Sequence, residues 1–225
     1  MQTQIKSKKR VTDHGEVFTN EREVNAMLDL VKNETERIDS RFLEPACGTG
    51  NFLIEVLRRK LEVVKARYRK SQAEYERYAV VAVSSCYGVD IQEDNAVECR
   101  ERLLAYFEQE YRKLYKENAR QRVIDVVRFI LSKNIVCGDA LTMKQDNGEP
   151  IVFAEWSAVG GKIKRRDFTL ANLLETESYY AKQSEQQDFF SMLREQGTDL
   201  ITPKAVGEYP LCNLDELAEV QDGTR

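Results

Sequence analysis

A chain of 225 residues, 42% hydrophobic and 32% charged, is long enough to bury a core and reads as one helix-rich globular domain with appendages. No apolar run approaches the roughly 18 residues of a membrane span, and Met1 to Arg10 lack the apolar stretch of a secretory signal, so a cytoplasmic location is expected. The net charge of -4 excludes a protein-wide polycation, and five cysteines without a C-x-x-C pair, beside a single histidine, argue for reduced thiols and against a disulfide framework or a metal site.

Residues 1–12 carry Lys6, Lys8, Lys9 and Arg10 and form a basic tail, either solvated or in contact with phosphate. His14 is expected in a turn, with no second ligand or nucleophile near it in sequence. The spacing of Val24, Met27, Leu28 and Val31 predicts a helix, capped by Thr19 or Asn20 and started by acidic residues that suit its positive end. Arg41 to Leu53 then joins a short apolar strand to a Gly-x-Gly turn and a helix, an arrangement that points backbone N–H groups at whatever occupies the turn. The stripe Leu53, Leu57, Leu61, Val64, Tyr68, Tyr75 and Tyr78 predicts one continuous helix from Asn51 to Tyr78, roughly 40 Å long at 1.5 Å per residue.

The pattern changes at Tyr87 to Asp90, a buried strand ending in an acid that is placed to accept from a ribose diol. Helices follow over Asn95 to Tyr115 and Val123 to Leu131, and a third strand over Asn134 to Val136 leads into Gly138 and Asp139. Three strands ending near Glu44, Asp90 and Asp139, with helices between them, predict a βαβαβ half-sheet of an α/β protein. A turn at Asp146 to Pro150 precedes a fourth short strand, Ile151 to Ala154. A loop at Gly160 and Gly161 carries the basic run Lys162, Lys164, Arg165 and Arg166, and Asp167 or Thr169 opens a short helix through Leu174. Beyond it, one helical stretch is expected around Phe189 to Leu193.

Phe42-Leu43-Glu44-Pro45-Ala46-Cys47-Gly48-Thr49-Gly50-Asn51-Phe52 resembles the first motif of class I S-adenosylmethionine-dependent methyltransferases, in the form used by adenine-N6 DNA methyltransferases of restriction-modification systems. Gly15-Glu16-Val17-Phe18-Thr19 is similar to the cofactor motif that precedes it in that group. Tyr87-Gly88-Val89-Asp90-Ile91 and Cys137-Gly138-Asp139-Ala140 resemble its second and third motifs. The resemblance covers about residues 11–142 and implies a Rossmann-like sheet with flanking helices, incomplete or extended at its C-terminal end. It divides the chain into the basic tail 1–12, an S-adenosylmethionine-binding domain 13–174 and a polar extension 175–225.

Carried over residue by residue, it implies that Gly48 and Gly50 let the backbone approach the methionine part, with Phe18 and Thr19 closing over it and Ala46, Ile91 and Ala140 alongside. Glu44 faces the ammonium, Asp90 the ribose hydroxyls and Asp139 the adenine amine, so loss of Asp90 is expected to matter most for affinity.

Double-stranded DNA is the implied substrate, with phosphate contacts expected from Lys162, Lys164, Arg165 and Arg166. Methylation of an exocyclic amine needs a flipped base stacked on an aromatic ring. The family supplies that ring and the amine's partners from Asn-Pro-Pro-Tyr, and here the prolines stand at 45, 150, 203 and 210 with no such motif. No Pro-Cys pair is present either, so a cytosine-C5 nucleophile of the usual form is lacking. Either a second polypeptide supplies the acceptor side, or Glu155, Trp156 and Ser157 take it over with Trp156 as the stacking platform. A non-catalytic cofactor-binding subunit for assembly or sensing, and a methyltransferase for protein or small molecules, are the alternatives.

Overall fold

The computed structural model describes residues 7, 9, 10, 12, 19–174 and 204–220 of the protein. His14, Phe18 and the expected helix around Phe189 to Leu193 lie outside the described residues. Helix α1 (Glu21–Leu30) starts at Asn20, whose side-chain oxygen accepts from the Glu23 N–H at 3.0 Å, and it buries Val24 and Leu28. A single helical turn, α2 (Lys32–Thr35), leads to strand β1 (Phe42–Glu44).

The long helix expected from Asn51 to Tyr78 is two helices, α3 (Asn51–Tyr68) and α4 (Gln72–Ser84). The break is made by Ser71, whose extended backbone ends one helix while its hydroxyl caps the next by accepting from Glu74 N–H at 3.4 Å. The chain folds back there, with the rings of Tyr68 and Tyr78 stacked at 3.9 Å across the turn. Strand β2 (Cys86–Asp90) is buried throughout. Helix α5 (Glu93–Tyr115) and helix α6 (Gln121–Asn134) then return the chain to strand β3 (Ile135–Cys137).

The three strands form one parallel sheet in the order β1-β2-β3, the βαβαβ unit anticipated from the strand endings. Side chains alternate across its faces. Phe42, Cys86 and Ile135 pack into the main core with the helices, whereas Tyr87, Val89 and Val136 meet a smaller cluster built on Ile151, Phe153 and Leu170.

The fourth predicted strand does not join this sheet. Strands β4 (Val152–Val159) and β5 (Lys162–Thr169) form an antiparallel hairpin, extended by the two residues of β6 (Gly207–Glu208). Gly160 and Gly161, at φ 57° and 84°, make the two-residue turn that such a hairpin needs, so the expected basic loop is a strand. The Tyr87 hydroxyl donates to the Ala154 carbonyl at 3.0 Å and fixes the hairpin against β2. Thr169, not Asp167, opens the helical residues 170–174, its hydroxyl accepting from Asn172 N–H.

Two buried polar clusters fasten the helices. Glu76, 1% exposed, accepts from Gln72, Tyr111 and Arg120, and Arg120 also binds Asp215 at 2.8 Å, which ties α4, α5 and α6 to helix α7 (Leu217–Val220) through the turn before it. Burial acts to raise the Glu76 pKa, but these donors, Arg120 foremost, outweigh it and hold the carboxyl below its ordinary value. Lys60, fully buried, donates to the Ile38 and Ser40 carbonyls and to the Ser85 hydroxyl, pinning the segments that enter β1 and β2.

Candidate active site

A cavity of about 520 Å³ opens at the carboxyl ends of β1, β2 and β3. Strand β1 delivers Glu44 to it, and the turn that follows is set by three backbone contacts. Cys47 N–H reaches Val89 O at 2.8 Å, Gly50 N–H closes on Cys47 O at 2.8 Å, and Gly48 N–H donates to the Asp90 carboxylate at 2.8 Å. Gly48 and Gly50 take positive φ values of 52° and 87°. At Gly50 a second constraint applies, since a Cβ there would stand 2.6 Å from the Cys99 sulfur of α5. Gly50 therefore lies behind the turn against α5, whereas Gly48 is on the cavity wall.

Asp90 does more than its position at the end of β2 suggested. One carboxylate oxygen takes the Gly48 N–H, and the other takes the Gln92 N–H at 2.9 Å and the Asn95 side-chain amide at 3.1 Å. The carboxylate thus clamps the glycine turn to the start of α5. Asp139 is arranged differently: its carboxylate accepts from Leu141 N–H at 2.8 Å in a local turn, and that backbone donor lowers its pKa. Glu44 goes the other way, raised by burial, with the Ala46 N–H partly opposing.

Thr19, Ala46, Ile91 and Ala140 also line the cavity, so of the residues that the resemblance assigned to the cofactor, all the described ones except Gly50 meet in one place. Sequence reasoning missed Met27, Gln92, Asn95 and Leu141 as wall residues. Met27 falls on the helical period of α1 and reads as core, but it is 53% exposed at the rim, as are Ile91 at 51% and Leu141 at 92%. Cys47 is on the wall too. Its hydrogen bond with Cys99 and its burial push the thiol pKa above the ordinary value.

Residues 16–154 match the family described as MmeI, DNA-methyltransferase domain, over more than half of the chain. The chain belongs to this family. It is thereby a DNA-methyltransferase domain of the restriction-modification kind. No curated protein and no solved structure matches it. The matched span contains every described residue on the cavity wall and ends two residues after β4 begins at Val152.

The acceptor-side candidates of the methyltransferase domain are elsewhere. Glu155, Trp156 and Ser157 lie in the middle of β4, not at the end of a parallel strand. The Glu155 carboxylate binds Arg41 and Arg166, while the Trp156 indole N–H donates to the Asn134 side chain at 2.9 Å and its ring meets Phe129 edge-on at 6.0 Å. Ser157 stands opposite Lys164 in the hairpin. Arg41 precedes β1 and Asn134 precedes β3, so these three sit toward the amino ends of the parallel strands, away from the cavity. The reason is directional: β4 enters at the carboxyl ends, where Ile151 packs on Gly138, and runs toward the amino ends.

The basic run lies on strand β5, not in a loop. Arg165 is 5% exposed, pairs with Asp167 at 2.7 Å and lies over the Tyr209 ring at 4.1 Å. Arg166 pairs with Glu155 and Lys164 with Glu208, which leaves Lys162 as the exposed member of the four. In the tail, Arg10 makes a two-pronged contact with Asp94 at the start of α5 instead of reaching into solvent. Among the described residues no helix is long and apolar enough to cross a membrane, and no group of three or more His, Cys, Asp or Glu side chains is placed to hold a metal ion.

Proposed function

We propose that the cavity binds S-adenosylmethionine and that the chain is the methyl-donor side of a cytoplasmic adenine-N6 DNA methyltransferase. The observation that carries this reading is the cavity's charge. Glu44, Asp90 and Asp139 line it, and no Lys, Arg or His side chain does so among the described residues. A pyrophosphate-bearing cofactor would meet three carboxylates and no countercharge, whereas a ligand with an ammonium and a sulfonium centre meets complementary charge. The volume is that of a small-molecule site, and the positive-φ glycine turn lets backbone approach closely where a side chain would intrude.

In this reading Glu44 receives the ammonium and Asp139 the adenine amine. Asp90 holds the turn that carries Gly48 and uses its remaining acceptor capacity for a ribose hydroxyl. When bound, the cofactor supplies an electrophilic methyl group; the chain's part is to orient that group and to shield it with the apolar rim of Met27, Ile91 and Leu141. The acceptor side, which stacks the flipped base and binds its amine, comes from a polypeptide segment outside these 225 residues. The proposed S-adenosylmethionine-binding unit 13–174 then has all its described wall residues between Thr19 and Leu141. The adenine-N6 type rests on the resemblance of the four motifs.

Calorimetric titration with S-adenosylmethionine is the direct test. Binding by the wild-type chain, weakened by Asp90→Asn, is expected; a wild-type protein that gives no heat at saturating ligand overturns the reading. Methyl transfer to duplex DNA by the chain alone would instead refute the division of labour.

A further inference from the structure

Helix α5 touches the glycine turn twice. Cys99 backs Gly50, and three residues further along the same face Arg102 reaches over the turn. A single guanidinium nitrogen of Arg102 faces three acceptors with its two hydrogens, one of them shared: the Thr49 carbonyl at 2.6 Å, the Thr49 hydroxyl at 2.8 Å and the Asn51 side-chain oxygen at 2.9 Å. The other end of the Asn51 amide donates to the Thr19 carbonyl at 3.0 Å. Asn51 and Thr19 are both on the cavity wall, and Arg102 is not.

This arrangement permits one orientation of the Asn51 amide. Arginine can only donate and a backbone carbonyl can only accept, so Asn51 must turn its oxygen to Arg102 and its nitrogen to Thr19. We propose that Arg102 is a positioning residue of the methyl-donor site: through Thr49 it fixes the glycine turn, and through Asn51 it holds the Thr19 backbone at the cavity wall. The assignment rests on the S-adenosylmethionine reading of that cavity. It adds a residue that lies between the second and third motifs and belongs to neither.

The chemistry gives the linkage a signature that simple packing lacks. Three acceptors converge on one nitrogen, which a lysine ammonium with three hydrogens also satisfies, whereas methionine fills the space with no donor. Asn51→Asp keeps an oxygen for Arg102 but sets a second oxygen against the Thr19 carbonyl, which breaks only the outer half of the relay.

The experiment compares Arg102→Met, Arg102→Lys, Asn51→Asp and the Met/Asp double variant by calorimetry with S-adenosylmethionine, and by hydrogen exchange without ligand. Arg102→Met is expected to weaken binding about tenfold and Arg102→Lys to stay within about threefold of wild type, the scale of a lost hydrogen bond to a charged group. The double variant should bind about as weakly as the weaker single variant, because both changes cut one relay. In the ligand-free Arg102→Met protein, amides of residues 19–23 and 49–51 should exchange faster than in wild type. Wild-type affinity in Arg102→Met, no recovery in Arg102→Lys, or losses that multiply in the double variant overturns the proposal. If the wild-type chain binds no S-adenosylmethionine, the reading of the cavity fails by itself, and unchanged exchange in Arg102→Met then refutes the relay separately.

Discussion

Replacing Gly50 with alanine tests the turn at its most constrained point. Two separate penalties apply. The backbone at φ 87° is left-handed, which costs a residue with a Cβ about 1–2 kcal/mol. The new Cβ would also stand 2.6 Å from the Cys99 sulfur, and overpacking of a buried contact costs about 1–3 kcal/mol. The sum is about 2–5 kcal/mol, a large share of the stability of a domain this size. Cys99→Ala removes the sulfur and leaves its Cβ 3.5 Å from the new methyl group, an ordinary contact. Urea unfolding of wild type, both single variants and the double variant separates the two penalties. The double variant should recover about 1–3 kcal/mol relative to additivity, while the left-handed strain persists. A Gly50→Ala protein as stable as wild type, or strict additivity in the cycle, refutes the reasoning.

Lys60→Met leaves the buried Ser40 carbonyl without its lysine donor and the Ile38 carbonyl with Ser85 alone, and should cost about 1–3 kcal/mol at pH 7, read by chemical unfolding. Burial lowers the Lys60 pKa in the folded state, so between that lowered value and the unfolded one the unfolded chain binds more protons. Wild-type stability should therefore rise with pH across that window, and the Met variant should lose this part of the rise. At the cavity, burial raises the Glu44 pKa, so S-adenosylmethionine affinity should hold at higher pH and fall as pH drops through the raised value; Glu44→Gln should bind more weakly with a flat profile there, measured by calorimetry across pH. Trp156→Phe strips Asn134 of an indole donor and should destabilise by about 1–3 kcal/mol while leaving S-adenosylmethionine affinity unchanged; weakened binding would return Trp156 to the site.

The parallel unit was legible because each of its strands runs from apolar residues directly into a turn that carries an acid, and the three acids then meet at one edge of the sheet. What was lost has identifiable causes. Tyr68 and Tyr75 are seven residues apart, so the apolar stripe stays in phase through the turn at Ser71, and no Gly or Pro marks the break. The basic run was read by charge when its period was informative: Ile163, Arg165 and Asp167 alternate inward along β5, and the last two satisfy each other. A Gly-Gly pair between two such runs is a hairpin signal. Met27 shows the converse case, a residue on an apolar helical stripe that stands exposed at a cavity rim.

The direction of β4 bears on where the acceptor enters. On the proposed reading, a methyl donor in the cavity is reachable from the carboxyl edge of the sheet, because the main core closes one face and the cluster of Tyr87, Phe153 and Leu170 closes the other. The hairpin cannot bring a base there: it passes that edge at Ile151, buries Phe153 and Phe168, and carries Trp156 toward the far end, where Asn134 and Phe129 occupy it. The exposed side chains of Met27, Ile91 and Leu141 remain at the rim, an apolar surface that, on the proposed reading, an extruded base would cross before it meets the donor. An amine arriving by that route needs partners set above the rim, and residues attached to the carboxyl edge of the sheet are the ones that can provide them.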